Sequence, residues 1–113
     1  LDESKNIKLI DFGFSTFIPT EKKARIFCGT PSYMAPEIVS KKEYNGPPVD
    51  IWAMGVLLYA LLTGHFPFKA PSDRELYSKI VRGTFVFPEH VSVAAKSFIE
   101  QCLNLNPNRR PTT

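Results

Sequence analysis

The strongest constraint on the fold of this chain is an uncharged apolar run at residues 51–62, which reads IWAMGVLLYALL. A helix built from this run has apolar side chains on every face, so other parts of the chain have to surround it. At twelve residues the run is too short to span a bilayer. We therefore expect a buried central helix, capped at its start by Asp50 and at its end by Gly64.

A glycine in the middle of this run indicates that another segment approaches closely. Glycine in a helix interior costs about 1 kcal/mol relative to alanine. Its use at Gly55 is best explained by a second backbone that packs against the central helix at that position.

Two amphipathic helices are predicted after the central run. Residues 72–75, with the sequence SDRE, form a capping box that opens a helix ending at Gly83. Ser92 is placed to cap the next helix, whose apolar stripe lies between Ala94 and Leu103. The helices are expected to pack as a bundle.

The segment before the central run is predicted to contain a short hairpin and a long loop. Residues 1–2 and 7–10 are interpreted as two strands joined by a polar turn. Residues 14–32 show little periodicity, and a loop of this length in a compact domain is usually functional or disordered. The DFG triplet at residues 11–13, taken alone, could be a simple turn.

Charge and cysteine usage argue against several classes of protein. The net charge is +3, and the 14 basic residues are scattered, so we expect no nucleic-acid partner. We also expect no membrane partner. Cys28 and Cys102 lie far apart without a CxxC pattern, which fits a reducing compartment and no cysteine metal site. The expected location is the cytoplasm or the nucleus.

The order of three motifs resembles that of eukaryotic protein kinases. They are DFG at residues 11–13, GTPSYMAPE at residues 29–37 and LNPNRRPTT at residues 105–113. The stretch from the first motif to the end of the second is similar to the activation segment of serine/threonine kinases. The chain looks most like the calcium/calmodulin-dependent group, and within it the AMP-activated and microtubule-affinity-regulating kinases.

This resemblance implies a fold and a domain assignment. The expected fold class is mainly α: a large-lobe fragment with a short N-terminal β-hairpin, a long activation loop and helices around a buried central helix. Residues 1–113 are accordingly expected to be a partial kinase domain, comprising the activation segment and the C-terminal half of the large lobe.

The resemblance also implies roles for individual residues. Asp11 matches the Mg²⁺ ligand whose ion bridges the nucleotide phosphates, Phe12 would pack beneath a helix of the smaller lobe, and Gly13 would allow the segment to switch. Thr30 matches the hydroxyl that reaches the catalytic Asp and Lys. The plainer alternative for Thr30 is a turn residue before Pro31.

Other positions match substrate-binding and structural features of the same family. Glu37 and Arg110 match an ion pair that joins the activation segment to a distal loop. Asp50 matches the residue that holds the catalytic-loop backbone. Three apolar residues match the pocket for the residue after the phosphoacceptor: Phe27, Pro31 and Met34.

The function implied by the resemblance is a serine/threonine kinase, a transferase that uses ATP and Mg²⁺ on a protein substrate. The sequence contains no Gly-rich loop, phosphate-binding Lys or H-R-D-x-x-x-x-N catalytic loop. The N-terminal lobe and catalytic loop are therefore expected from a parent protein, and the chain alone is expected to be inactive. The alternative is a pseudokinase or truncated fragment that acts as a binding module; intact Asp11 and Thr30 favour a catalytic parent.

The missing upstream segments also bear on the central helix. In the family they cover one side of this helix. Without them we expect an apolar patch that invites aggregation. The residues expected to be partly exposed are Trp52, Leu57, Leu58 and Leu61.

One position departs from the similar kinases. They carry a phosphorylatable threonine two residues before the Cys of the CGTP or CGSP stretch, whereas this chain has Ile26. We therefore expect no dependence on phosphorylation at this position. The loop is held either by packing of Ile26 and Phe27 or through another hydroxyl, such as Thr20, Thr30 or Ser32.

Overall fold

The computed structural model describes residues 1–19 and 22–113, and its fold is mainly helical, as predicted. Four α-helices follow in chain order: α1 (Pro36–Val39), α2 (Gly46–Thr63), α3 (Asp73–Arg82) and α4 (Val93–Cys102). Three short 3₁₀ helices complete the regular structure of the described residues: Phe12–Phe14, Pro31–Tyr33 and Pro107–Arg109. Thr20, one of the hydroxyls considered above, lies outside the described residues.

The prediction of an N-terminal β-hairpin is wrong. The polar turn exists, because the backbone N–H of Asn6 donates to the Asp2 carboxylate at 2.8 Å. Residues 7–10 nevertheless form no strand and are exposed. A two-stranded hairpin is at best marginally stable unless it packs on something. Within the described ranges the one β-bridge lies elsewhere, between Ala24 and Tyr44.

Helix α2 begins earlier than the apolar run predicts. Pro47 and Pro48 lie in its first turn, where their preset φ favours a helix and their missing N–H groups cost nothing. The helix therefore begins at Gly46, and Asp50 lies inside it. The prediction that Asp50 caps the helix is wrong, whereas Gly64 does end it in a left-handed conformation with φ of 81°.

The extra turn makes α2 longer than the apolar run, which matters for whether the helix could cross a membrane. With 18 residues, the helix is long and apolar enough to cross a membrane, by length and composition only. The core helix of a soluble protein passes the same test. Here α2 supplies Trp52, Val56 and Tyr59 to the hydrophobic core, so its role in the described chain is that of a core helix.

The downstream helices begin and end where the sequence predicts. The Ser72 hydroxyl accepts a hydrogen bond from the Glu75 N–H at 3.3 Å, and the Ser92 hydroxyl accepts one from the Ala95 N–H at 3.1 Å. Gly83 ends α3 with a φ of 67°. These boundaries were predictable because each is set by a cap within a few residues.

Helix α4 packs directly on the glycine of α2. A Cβ atom built on Gly55 would lie 2.6 Å from the Cys102 Cβ and 3.1 Å from the Leu103 Cδ2. The close approach predicted at Gly55 is therefore confirmed at the C-terminal end of α4, although the nearest atoms belong to the Cys102 and Leu103 side chains and not to a backbone.

One face of α2 is uncovered in the described part of the chain. Leu57 and Leu61 are 47% and 73% exposed, Leu58 is half-buried, and all three line an apolar groove of about 480 Å³. The expected partial exposure of Leu57, Leu58 and Leu61 is therefore confirmed, because no described segment covers this groove, and the burial that the apolar run alone predicts does not extend to this face. Trp52, which was expected to be partly exposed, is fully buried because Phe68 stacks on it with ring centroids 5.8 Å apart.

We expect Gly55→Ala to lower the free energy of unfolding, although alanine favours helices. Overpacking against Cys102 should outweigh the gain in helix propensity, with a net loss on the order of 1–2 kcal/mol. Denaturant unfolding followed by circular dichroism measures this. Gly46→Ala is the matched control, because its Cβ would meet only the Cδ1 end of Ile18 at 3.3 Å. A Gly55→Ala protein as stable as the parent would contradict the packing of α4 on α2.

Candidate functional site

The DFG triplet forms a short turn at the protein surface. Asp11 adopts a left-handed conformation with φ of 58°, and its carboxylate accepts a hydrogen bond from the Gly13 N–H at 3.4 Å. The Phe12 side chain is exposed, and the Phe12 carbonyl accepts a hydrogen bond from the Ser15 hydroxyl at 2.7 Å. The triplet therefore has the geometry of a turn, and the Asp11 carboxylate remains accessible to a ligand.

A cavity of about 240 Å³, here called the central cavity, lies between the activation segment and α2. Its lining includes Thr30, Met34 and Asp50. Thr30 is exposed, and its hydroxyl makes no capping hydrogen bond to the 3₁₀ helix that follows it. The structure thus brings together three predicted site residues from two separate segments.

Asp50 contributes to two neighbouring cavities. It lines the central cavity and also a cavity of about 480 Å³ that it shares with Ser15, Thr16 and Tyr44. Asp50 is exposed overall, but desolvation by its surroundings raises the pKa of the carboxyl, because desolvation disfavours the charged form. Among the described residues no hydrogen bond to this carboxylate is formed. Asp50 is therefore a partly desolvated acceptor that a donor from another segment could satisfy.

Of the three residues predicted to form a substrate pocket, Met34 lines the central cavity, and Phe27 and Pro31 do not. The Met34 N–H donates to the Pro31 carbonyl at 3.2 Å, so these two are neighbours. Phe27 does not line the central cavity. Its ring packs edge-on against Tyr77 of α3, with centroids 6.1 Å apart, and the Lys41 Nζ lies 5.6 Å from its centroid. Tyr77 gave no functional signal in the sequence because it belongs to the apolar stripe of α3.

The stretch before Phe27 is connected to the segment after α1 by a set of contacts here called the loop bridge. Ala24 and Tyr44 exchange both backbone hydrogen bonds, at 2.8 and 2.9 Å. The Tyr44 hydroxyl donates to the Ile26 carbonyl at 2.8 Å, and burial raises the pKa of this hydroxyl, so it stays protonated as a donor. Arg25 Nε donates to the Glu43 carboxylate at 2.7 Å. Sequence reasoning missed the loop bridge.

A buried ion pair joins Glu37 to Arg110, with two parallel hydrogen bonds of 2.6 and 3.0 Å. The Arg110 side chain is fully buried and that of Glu37 is 9% exposed. Arg110 also donates to the carbonyls of Pro48 and Asn104, both at 2.9 Å, and its guanidinium lies 5.1 Å from the Trp52 ring centroid. One side chain thus connects the activation segment, the start of α2 and the C-terminal loop.

The amino-acid sequence of this chain is similar to those of known protein kinases. The family model for the protein kinase domain matches residues 1–113. Over 112 residues, the chain is 42% identical to a probable serine/threonine-protein kinase, MARK-A, of Dictyostelium discoideum. It is 45% identical to serine/threonine-protein kinase kin-29 of Caenorhabditis briggsae and 40% identical to sucrose non-fermenting protein kinase 1 of Fusarium virguliforme. Each match covers 99% of this chain but only 11%, 14% and 16% of the respective relative.

We expect Glu37→Ala and Arg110→Ala each to lower the free energy of unfolding by about 3–5 kcal/mol, because each leaves a buried charge without its partner. The double variant should be less destabilised than the sum of the two single variants. Denaturant unfolding of all four proteins completes this double-mutant cycle.

The control is the same cycle on Arg25 and Glu43, whose side chains are 75% and 47% exposed. Their coupling should be below about 1 kcal/mol, as for other exposed pairs. Additive effects of the Glu37 and Arg110 substitutions would contradict the buried pair.

Proposed function

Because this chain belongs to the protein kinase domain family, we propose that the complete protein is a serine/threonine kinase. It would transfer the γ-phosphoryl group of ATP to protein hydroxyl groups. The observation that carries this proposal is the match along all 113 residues, together with 40–45% identity to relatives named as kinases. These names favour the catalytic interpretation over a non-catalytic binding module.

The proposal assigns residues 1–113 to part of a kinase domain. The chain spans about a tenth to a sixth of the relatives' length. The Gly-rich loop, the phosphate-binding Lys and the catalytic-loop Asp and Asn would come from elsewhere in the complete protein. The chain alone would then lack phosphotransfer activity.

Asp11 fits the role of one Mg²⁺ ligand. Its carboxylate is exposed and engaged in a single long hydrogen bond, and Mg²⁺ prefers oxygen donors in an octahedral arrangement. Within the described ranges no group of three His, Cys, Asp or Glu residues could hold a metal ion. Asp11 would therefore act together with nucleotide phosphates and a ligand from elsewhere in the complete protein. Mg²⁺ at such a site neutralises charge on the transferring phosphoryl group.

Thr30 and Asp50 are proposed to organise the site around the acceptor hydroxyl. The Thr30 hydroxyl is free of a capping bond and lines the central cavity, so it can hydrogen-bond groups that enter there. The Asp50 carboxylate is partly desolvated, and pairing it with backbone N–H groups of the catalytic loop would offset that cost. Each residue would act by positioning, which is how protein kinases achieve most of their catalysis.

The proposed pocket for the residue after the phosphoacceptor includes fewer residues than the sequence predicts. Met34 lines the central cavity, and its N–H donates to the Pro31 carbonyl; both side chains are apolar, which supports a preference for an apolar residue after the phosphoacceptor. Phe27 lies beside Tyr77 of α3, so it would reach substrate only at a point farther from the central cavity.

The loop bridge supports a mode of activation without phosphate at position 26. Ile26 cannot be phosphorylated, and its side chain is about half exposed, whereas the neighbouring Phe27 ring packs against Tyr77. The Ile26 carbonyl is also fixed, because it accepts a hydrogen bond from the Tyr44 hydroxyl. Together with the backbone pair between Ala24 and Tyr44, this orders the loop through neutral hydrogen bonds that need no upstream kinase.

We expect Asp11→Ala to reduce phosphoryl transfer by the complete protein roughly 100-fold or more, because the metal charge that stabilises the transition state is lost. The assay uses radiolabelled ATP and a serine-rich protein acceptor such as casein. Glu3→Ala is the matched control, since Glu3 is also an exposed carboxylate in the N-terminal segment. Equal activity of Asp11→Ala and the parent, or an inactive parent, would refute the proposal.

We expect complete phosphatase treatment to leave the activity of the complete protein essentially unchanged. Tyr44→Phe should lower the activity, because it removes the donor to the Ile26 carbonyl, and limited proteolysis should then cleave near residue 26 more readily. Peptide mass spectrometry before and after treatment monitors every loop phosphate. A loss of roughly tenfold or more that tracks phosphate on Ser32 or Thr20 would overturn this expectation.

A further inference from the structure

A second cavity, separate from the central cavity, opens at the C-terminal end of α3. Its volume is about 450 Å³, and it is formed by the last turns of α3 together with Pro67, Lys69 and residues 84–86. It shares no lining residue with the central cavity. We call it the α3 pocket.

The floor of the α3 pocket is held firmly by α2. The Phe85 ring packs edge-on against Phe68 and Tyr59, with centroids 5.6 and 6.0 Å apart. The Tyr59 hydroxyl donates to the Val86 carbonyl at 2.5 Å. The Val86 side chain itself is 80% exposed, which leaves an apolar group at the mouth of the pocket.

The rim of the pocket is positively charged. Lys69, Lys79 and Arg82 line it, and no acidic residue is among its lining residues within the described part of the chain. In the same part of the chain the ion pairs use Arg25 and Arg110, so the three rim cations have no carboxylate within 4.0 Å.

The helix dipole of α3 accounts for two of the three rim cations but not for Lys69. Lys79 and Arg82 lie in the last turn of α3, where the helix dipole favours cations. Lys69 lies outside the helix, and its backbone carbonyl accepts a hydrogen bond from the Lys79 Nζ at 2.5 Å. This bond fixes the Lys79 ammonium beside the Lys69 backbone, and both residues line the pocket, so that two like charges share one rim, an arrangement that favours an anionic ligand.

We propose that the α3 pocket docks an acidic protein segment that carries one apolar side chain. The apolar side chain would cover Phe85 and Val86, and the flanking carboxylates would pair with Lys69, Lys79 and Arg82. A volume of about 450 Å³ is within the range of pockets that bind small ligands, so the α3 pocket has room for one apolar side chain and the groups beside it. A small inorganic anion would use the cations but leave the apolar floor wet, whereas an uncharged segment would leave three cations unpaired.

The test is direct binding to the complete protein, which does not require kinase activity. The probe is a short fluorescein-labelled peptide with one leucine flanked on both sides by glutamates, and fluorescence anisotropy gives its affinity. Two control peptides carry serine in place of the leucine or glutamines in place of the glutamates. We expect the probe to bind more tightly than both controls, and binding to weaken as salt is added.

The variants Lys69→Glu and Arg82→Glu should each weaken the probe's affinity roughly tenfold or more, because like charges then face each other. Arg74→Glu is the matched control, since Arg74 lies on the same helix but outside the pocket. The Arg74→Glu protein should bind the probe as tightly as the parent does. Lys69→Gln, which removes the charge without reversing it, should give an intermediate loss and guards against misfolding of the reversal variants.

Three results would overturn the proposal. They are no binding of the probe, equal loss of affinity in Arg74→Glu, and equal affinity for the probe and its serine control, which would show a site for anions alone. Phosphoryl transfer to a small peptide substrate is measured alongside. If this activity persists while probe binding is absent, the docking proposal fails and the proposed kinase function stands.

Discussion

The arrangement of the candidate site depends on the burial of one guanidinium. A buried charge is costly unless it is paired and hydrogen-bonded, so Arg110 is tolerated only when Glu37, Pro48 and Asn104 are all in place. These partners belong to the activation segment, the start of α2 and the C-terminal loop. Satisfying Arg110 therefore sets the position of the segment that carries Thr30 relative to the helix that carries Asp50, and this creates the central cavity.

The two ion pairs of the described chain show why burial decides the importance of a charge pair. Arg25 and Glu43 are exposed, and a pair of that kind contributes at most about 1 kcal/mol. Their segment is held mainly by the backbone bonds of Ala24 and Tyr44 and by the Tyr44 hydroxyl. Each such bond contributes on the order of 1 kcal/mol. The activation segment is thus anchored firmly at Glu37 and more weakly at the loop bridge.

Helix α2 presents two chemically different sides. On one side, Trp52 and Val56 are fully buried, and Gly55 leaves room for the Cys102 and Leu103 side chains at the end of α4. On the other, Leu57 and Leu61 border an open apolar groove. Covering that groove would remove further apolar surface from water, at roughly 25 cal/mol per Å². The stability of α2 therefore depends on what packs on this side in the complete protein.

Features set by neighbouring residues could be predicted from the amino-acid sequence: the caps at Ser72, Ser92 and Gly64, and the small residue at position 55. The sequence motifs also predicted the family and the pairing of Glu37 with Arg110. Four features became visible in the folded chain alone: the burial of Trp52, the loop bridge, the absence of a hairpin from the described N-terminal residues, and the α3 pocket. Each of these depends on whether a distant segment supplies a partner, and a local pattern of residues carries no information about that partner's position.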